Sequence, residues 1–327
     1  MHESKKILIT GGSGFLGTHL IGFLAQGGYR IRATFNAKMP SISTIDQTEW
    51  VKVDDISSPE SWNALIKGVD CVIHLIGLAH VFKENSPADF SKFKEVNVLP
   101  TQALAESCVR SGKVKKFIFI SSVGAVCSSS TIPINELSPC HPETGYGISK
   151  LEAENVLKDT LQDKVSWCIL RPTMIYGPGD PGNMARLIKL VKMGIPLPLG
   201  SVHNARSFLY IGNFLEIMAK VLSHRNAEFK TYLIADDETI STPEIIRIMA
   251  EILNKKVLVI PFPVGILRLM GKVGSLLERN LNISIGINTY SVDRLTESLV
   301  VDNSFIKHDL DFEMPYSFYE GIRQTLN

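Results

Sequence analysis

Lys5-Lys-Ile-Leu-Ile-Thr10 is a short apolar run, and Gly11-Gly-Ser-Gly-Phe-Leu-Gly17 follows it directly, ahead of a helical pattern from Thr18 to Gln26. Strand, glycine turn and helix in that order leave few folds open. The glycines stand at G-x-x-G-x-x-G spacing, at Gly11, Gly14 and Gly17. Glycine lets a backbone turn tightly and approach a pyrophosphate, while the helix that opens there offers free N–H groups and the positive end of its dipole. A lone glycine motif carries little, but one placed between a strand and a helix predicts a dinucleotide site. Gly11, Ser13, Gly14, Phe15, Leu16 and Gly17 are its candidate contacts.

The alternation continues. Strands are expected at Tyr29–Phe35, Val51–Ile56, Asp70–Gly77, Lys116–Ser122 and Ser166–Pro172, with helices at Pro59–Lys67 and Phe90–Ser111. The run Asp70–Gly77 is almost continuously apolar, as a strand covered on both faces requires. Repeated strand–helix units predict a doubly wound parallel α/β sheet with ligands at the carboxyl ends of its strands. Polar candidates collect at those ends: Asn36, Asp55, Gly77 and Ser122. An acid after the second strand would bind an adenosine ribose and select NAD. The chain has Asn36 there, with Lys38 and Arg32 nearby to face a 2′-phosphate, so the cofactor is NAD(P) with a lean toward NADP(H).

A net charge of +1 and the lack of a long basic run exclude nucleic acid as the expected partner. Five scattered cysteines with no C-x-x-C predict reduced thiols and no metal site. The N-terminus shows no apolar leader, so a cytoplasmic protein is expected. The most apolar late stretch, Val257–Leu277, is interrupted by Pro261, Pro263, Arg268 and Lys272. It is a poor membrane span, and an amphipathic helix packed on the protein, or on a membrane surface, fits it better.

Tyr146 and Lys150 lie four residues apart ahead of a helix-friendly run, so they share a helix face. A cation beside a phenol stabilises the phenolate, lowers its pKa and makes tyrosine a usable acid–base group. Such a pair is common by chance; its place after a strand-end serine and a dinucleotide turn gives it meaning.

Together these stretches resemble the extended short-chain dehydrogenase/reductase family, in its nucleotide-sugar epimerase, dehydratase and reductase branch. The resemblance rests on Thr10–Gly17, Val72–Gly77, Val96-Asn-Val98, Phe119–Ser122, Tyr146-Gly-Ile-Ser-Lys150 and Arg171–Gly179. It implies a Rossmann-type doubly wound parallel sheet with a smaller C-terminal substrate-binding α/β domain. It also implies Tyr146 as acid/base, Lys150 on the nicotinamide ribose and Ser122 on the reacting oxygen. Asp55 and Ile56 would meet adenine; Leu75, Ile76, Gly77, Pro172, Thr173 and Met174 would line the remaining cofactor site. Two departures touch the substrate side. Val126-Cys127 stands where the family often has Tyr-Gly, and Ile76-Gly77 where it often has Ala-Ala.

Beyond Tyr176 the pattern breaks into a turn-rich loop, followed by a helix from Asn183 that Asn183 is expected to cap, and an edge strand at Ile195–Gly200. A helix at Phe208–Leu222 and a strand at Thr231–Ala235 are expected to return to the cofactor domain. The domains then read 1–172 with 206–236 for the cofactor, and 173–205 with 237–327 for the substrate. The resemblance places Asn183 and Arg206 on a diphosphate and Arg294 near a nucleoside ribose. His80, just past the end of a strand, is placed either to touch the sugar or as an ordinary loop histidine. It points to a UDP-sugar, UDP-N-acetylhexosamine above all, and to a homodimer. The expected reaction is 4-ketoreduction. A 4-epimerase with tightly bound NAD is the alternative, and a catalytically inactive cofactor-binding protein or a membrane-surface epimerase on polyprenyl-linked sugar are further ones. A 4,6-dehydratase is disfavoured because Val123-Gly124 offers no acid/base pair beside Ser122.

Overall fold

A computed structural model describes residues 5–36, 39, 48–79, 87–281 and 288–326; Lys38 and His80 lie outside the described residues. The first half contains β1 (Lys6–Thr10), α1 (Phe15–Gln26), β2 (Arg30–Phe35), β3 (Thr48–Lys52), α2 (Pro59–Asn63), β4 (Cys71–His74), α3 (Pro87–Phe93), α4 (Leu99–Ser111) and β5 (Lys116–Ile120). A π-helical turn, Lys94–Val98, joins α3 to α4. Next come β6 (Ser130–Ile134), α5 (Gly145–Leu161), β7 (Ser166–Pro172), β8 (Met174–Tyr176), α6 (Asn183–Met193), β9 (Arg206–Tyr210), α7 (Ile211–Ser223) and β10 (Lys230–Ile234). The chain ends with β11 (Thr239–Ile240), α8 (Thr242–Ile252), α9 (Val264–Leu281), α10 (Thr289–Thr296), β12 (Leu299–Val301), α11 (Ser304–Leu310) and α12 (Phe318–Leu326).

Seven parallel strands form the main sheet in the order β3-β2-β1-β4-β5-β7-β10. Both faces are covered, and side chains alternate between them. Ile7 and Ile9 on β1 join α1 and α7 in one core layer, while Leu8 joins Val72, Phe117 and Phe119 against α4 and α5 in the other. The chain runs outward from β1 to β3 and then returns to β4. The strand order therefore reverses between β1 and β4, and a crevice opens beyond their carboxyl ends. Thr10 and His74 close the floor of that crevice, Oγ1 to Nδ1 at 2.7 Å.

The smaller sheet runs β11-β9-β12-β6, with β8 paired to β9. Its β6 comes from the first half of the chain and pairs with β12 near the end, Ser130 against Leu299. β10 lies beside β7 in the main sheet and α7 packs on α1, while β9 belongs to the smaller sheet.

Several expected elements move. The third strand is Thr48–Lys52 and not Val51–Ile56: it is a half-exposed edge whose pairing with β2 ends at Phe35 and Lys52. The expected helix Phe208–Leu222 divides into β9 and α7. The Arg206–Tyr210 run is buried on every residue, and such a run reads equally as strand or helix. Ile195–Gly200 forms only an isolated bridge, Leu197 to Val259. Gly182 caps α6 without a side-chain bond, and Asn183 is its first helical residue, not its cap.

Candidate active site

The glycine turn forms one wall of the crevice. Gly11 has φ +71°, in the region where side chains are strained, and a Cβ there would stand 3.1 Å from the Ile76 nitrogen. A Cβ on Gly17 would lie 2.5 Å from the Gly11 oxygen, so only glycine lets α1 pack onto the turn. Thr34 anchors the turn from β2: its Oγ1 accepts from Gly11 N at 3.1 Å and its carbonyl from Gly12 N at 2.9 Å. α1 opens at Gly14 with no side-chain cap bond and no acid in its first turn. Its leading N–H groups, next to Ser13, Phe15 and Leu16, are open to an anion, and the residues present fit a dinucleotide pyrophosphate.

Asn36 is exposed after β2, and Asp55 is exposed after β3, with its Oδ1 accepting from Ser57 N at 2.9 Å. Ile56 is half-buried, and its carbonyl accepts from Trp62 Nε1. Arg32 does not face this position. Its Nε donates to Glu49 at 2.9 Å and its Nη1 to the Leu65 carbonyl at 2.5 Å, so the guanidinium is held toward β3. That removes one of the two cations that pointed to a 2′-phosphate.

Past β4 the backbone Leu75-Ile-Gly77 lies against both the glycine turn and Lys150. A Cβ on Gly77 would stand 3.0 Å from Lys150 Nζ. Lys150 itself is buried, donates to the Ile120 carbonyl at 2.9 Å and sits 4.7 Å from the centre of the Phe119 ring. Tyr146 is the second residue of α5, whose start is capped by Thr144 Oγ1 accepting from Gly147 N at 3.1 Å. Ser122 caps the short turn Val123–Ala125 at the end of β5 and accepts from Gly124 N at 3.1 Å, and its hydroxyl and the Tyr146 ring both face Gly124. Ser122, Tyr146 and Lys150 thus meet at one strand end.

The electrostatics differ from what the four-residue spacing suggested. Burial pushes the Tyr146 phenol up, with the nearby Ser122 hydroxyl and the Arg294 charge pulling it down and Tyr290 adding to the rise. Lys150 is engaged elsewhere, and burial lowers it to about 8 against the opposing pull of Glu154. The phenol of the cofactor-free protein therefore holds its proton.

A second layer fixes these groups. Glu154 is fully buried; it accepts from Ser121 Oγ at 2.5 Å and takes Arg171 in a fork, at 2.9 and 2.7 Å. This pins the chain next to Ser122 to α5. Asn97, in the π turn, accepts from Leu78 N at 2.7 Å and donates to Ser149 Oγ at 2.8 Å, and Ser149 in turn bonds the Tyr146 carbonyl. His74 is buried between Thr10 and Thr101, and burial holds it down at about 3, neutral. Sequence patterns assigned none of these roles. Glu154 carried a signal all the same: it lies eight residues after Tyr146 and four after Lys150, on the same helix face.

Arg206 and Arg294 bound the opposite side. Arg206 is 3% exposed on β9, donates to the Glu297 carbonyl at 2.9 Å, and leaves a buried Nε with no hydrogen-bond partner. Burial first, and the Arg294 charge second, lower it to about 10. Arg294 lies 5.1 Å over the Tyr290 ring, and its charge reaches Tyr146. The two guanidinium charges act on each other, with the Glu297 carboxylate offsetting them in part, and a bidentate anion such as a phosphate suits their forks. Pro172 ends β7, Met174 opens β8, and Thr173 between them keeps a buried hydroxyl without a partner. Asn183 stands at the amino end of α6. Among the described residues no cluster of side chains is suited to hold a metal ion.

The family model described as the NAD dependent epimerase/dehydratase family matches residues 7–235. The UDP-glucose 4-epimerase of Vibrio cholerae is 32% identical over 98% of this chain and 94% of its own length. The N-acetyl-alpha-D-glucosaminyl-diphospho-ditrans,octacis-undecaprenol 4-epimerase of Escherichia coli O157:H7 is 26% identical, over 99% of this chain and 95% of its own. The solved UDP-glucuronic acid 4-epimerase of Bacillus cereus, in complex with NAD, superposes with a TM-score of 0.76 at 20% identity, covering 98% of this chain and 96% of that one. That likeness is one of fold.

Proposed function

The chain belongs to the NAD dependent epimerase/dehydratase family, and on that premise we propose that it inverts C4 of a UDP-linked hexose or N-acetylhexosamine while retaining NAD. One observation carries the reading. A half-buried phenol, Tyr146, stands beside Ser122, with a glycine-turn cradle on one side and the guanidiniums of Arg206 and Arg294 on the other.

Bound NAD would accept hydride from C4 and return it. Gly11 to Gly17, with the first turn of α1, hold its pyrophosphate; Asn36, Asp55 and Ile56 border its adenosine. Leu75 to Gly77, Pro172 to Met174 and Lys150 line its nicotinamide half. Tyr146 takes the proton of the C4 hydroxyl and later gives it back. Ser122 hydrogen-bonds the same oxygen and stabilises the charge that develops there. Arg206 and Arg294 pair with the diphosphate of the sugar carrier, and Asn183 meets it from α6. Clamped at the diphosphate, the substrate keeps only its sugar free to turn, and inversion needs that motion. The two curated relatives differ in the carrier, nucleoside in one name and undecaprenol in the other, and share the diphosphate.

The engagement of Arg32 with Glu49 supports NAD and hence epimerisation. Asn36 in place of a ribose acid favours a second reading, 4-ketoreduction with exchanging NADP(H). The purified protein, incubated with UDP-glucose, UDP-GlcNAc and UDP-GalNAc without added nucleotide, is expected to interconvert C4 epimers and to release NAD on denaturation. Turnover of a UDP-4-keto-6-deoxy sugar only when NADPH is supplied would reverse the order of the readings. Tyr146→Phe is expected to abolish turnover and keep the nucleotide; a variant that still turns over ends the mechanism.

A further inference from the structure

We infer that α9 carries a docking face for the surface of an anionic phospholipid bilayer. Its inner side is packed on α10: Gly271 closes on Val292, where a Cβ would stand 3.0 Å from Cγ2, and Ser275 Oγ accepts from Thr289 N at 2.9 Å. Its outer side is open. Ile266, Leu269, Met270, Val273 and Leu276 fall at helical spacing on one stripe and are 43–60% exposed. A contiguous apolar patch of this kind is rare on a soluble protein without a partner.

Charge decides the partner. Arg268 and Lys272, both exposed and one turn apart, run along one edge of the stripe. Among the described side chains of α9 no exposed position is acidic, and Glu278 turns inward to accept from Asn288 at 3.0 Å. The same pairing of cation and apolar side chain continues in the segment leading into the helix, where Lys255 and Lys256 are exposed beside an exposed Leu258. An apolar stripe edged by cations matches acyl chains beneath anionic headgroups; the long basic side chains reach the headgroups while the stripe enters the acyl boundary. A second copy of this face would bring no counter-charge for Arg268 and Lys272. No described helix is long and apolar enough to cross a membrane, so the helix would lie in the surface. α10, which braces α9 from behind, carries Tyr290 and Arg294 toward Tyr146. The docked lipid surface would therefore lie one helix layer from the sugar site. The inference does not depend on which sugar is turned over.

The test is co-sedimentation of the whole protein with vesicles of phosphatidylcholine, with and without phosphatidylglycerol. Binding is expected to phosphatidylglycerol vesicles and to weaken in about 0.5 M salt. Leu269→Glu combined with Val273→Glu should lower the bound-to-free ratio at least about tenfold, because two acids replace inserted side chains. Arg268→Gln combined with Lys272→Gln should lower it about 25-fold, near fivefold for each cation. Melting temperature and turnover of a soluble sugar nucleotide should stay unchanged in both variants. Failure of the wild type to bind phosphatidylglycerol vesicles would overturn the inference. So would undiminished binding by the Leu269→Glu, Val273→Glu variant. So would a wild type that ignores vesicles and forms a dimer which this variant dissociates, since the face would then be a protein contact.

Discussion

Gly147→Ala should separate catalysis from cofactor binding. Gly147 is the third residue of α5, directly after Tyr146. A Cβ there would lie 2.2 Å from the Gly124 oxygen, 3.0 Å from the Gly124 carbonyl carbon and 3.1 Å from Pro142 Cβ. Ordinary contact begins near 3.4 Å, so α5 and the Val123–Ala125 turn must separate by about 1 Å. Both neighbours are backbone or ring, and neither can swing aside. Alanine is the better helix former by about 1 kcal/mol, but forcing a methyl into closed packing costs about 1–3 kcal/mol. Crowding therefore wins, and a net loss of stability of up to about 2 kcal/mol is expected. The catalytic effect is larger. Ser122 caps the displaced turn and Tyr146 rides on the displaced helix, and a misplacement of about 1 Å between reacting groups costs about 100-fold in rate. The glycine turn at Gly11–Gly17 belongs to other elements and only Lys150 among the cofactor contacts rides on α5, so nucleotide affinity should fall by less than about tenfold, well short of the loss in rate. Steady-state kinetics with a UDP-sugar, nucleotide titration by fluorescence and a thermal melt read the three quantities. A kcat within threefold of wild type would refute the idea that the close approach of α5 to the serine turn positions the pair.

The other predictions rest on separate observations. Gly22 lies inside α1, and a Cβ at that position would meet nothing within 4 Å, so Gly22→Ala should stabilise the protein by about 0.5–1 kcal/mol in chemical denaturation, without kinetic effect. Glu154→Leu leaves Arg171 charged and unpaired in a buried site and should cost about 3–5 kcal/mol in the same assay. His74 is held near 3 in the fold, below its ordinary 6.5, so its contribution is complete above pH 6.5 and is lost as pH falls toward 3. Asp236 runs the opposite way: burial raises it to about 7 from 3.8, and its contribution is complete below 3.8 and lost as pH rises toward 7. Melting temperature against pH should therefore lose its acid-side fall in His74→Gln, while a parallel curve would refute the neutral-histidine assignment. Arg206→Lys keeps a charge but not the fork, and should raise KM for the UDP-sugar by about tenfold, with little change in nucleotide affinity.

Local pattern made much of this molecule readable. The glycine spacing after an apolar run needed only backbone sterics, and Gly11 at φ +71° and Gly17 against the Gly11 oxygen stand where that reading put them. β4, β5 and β7 announced themselves as buried runs because a doubly covered parallel strand tolerates nothing else. Edges and ends were less legible. β3 was misplaced by three residues at its start and four at its end because a half-exposed edge strand carries a weak apolar signal, and its bounds follow from pairing with β2. The Arg206–Tyr210 run could not declare itself strand or helix until β8, β11 and β12 lay beside it.

The chain's local order was enough to determine a strand–turn–helix unit, a parallel sheet with ligands at its strand ends, and a tyrosine and lysine on one helix face. These follow from spacing, which covalent geometry enforces over a few residues. Only the tertiary structure decided what surrounds those groups. It bound Arg32 to Glu49, gave Lys150 to the Ile120 carbonyl, and turned Arg294 toward a phenol about 150 residues away in sequence. Charge state depends on burial and on neighbours that the chain brings together only by folding. The open stripe of α9 has the same origin: an amphipathic helix shows in sequence that one face will be covered, and the fold shows that α10 covers one side and leaves the other apolar and exposed.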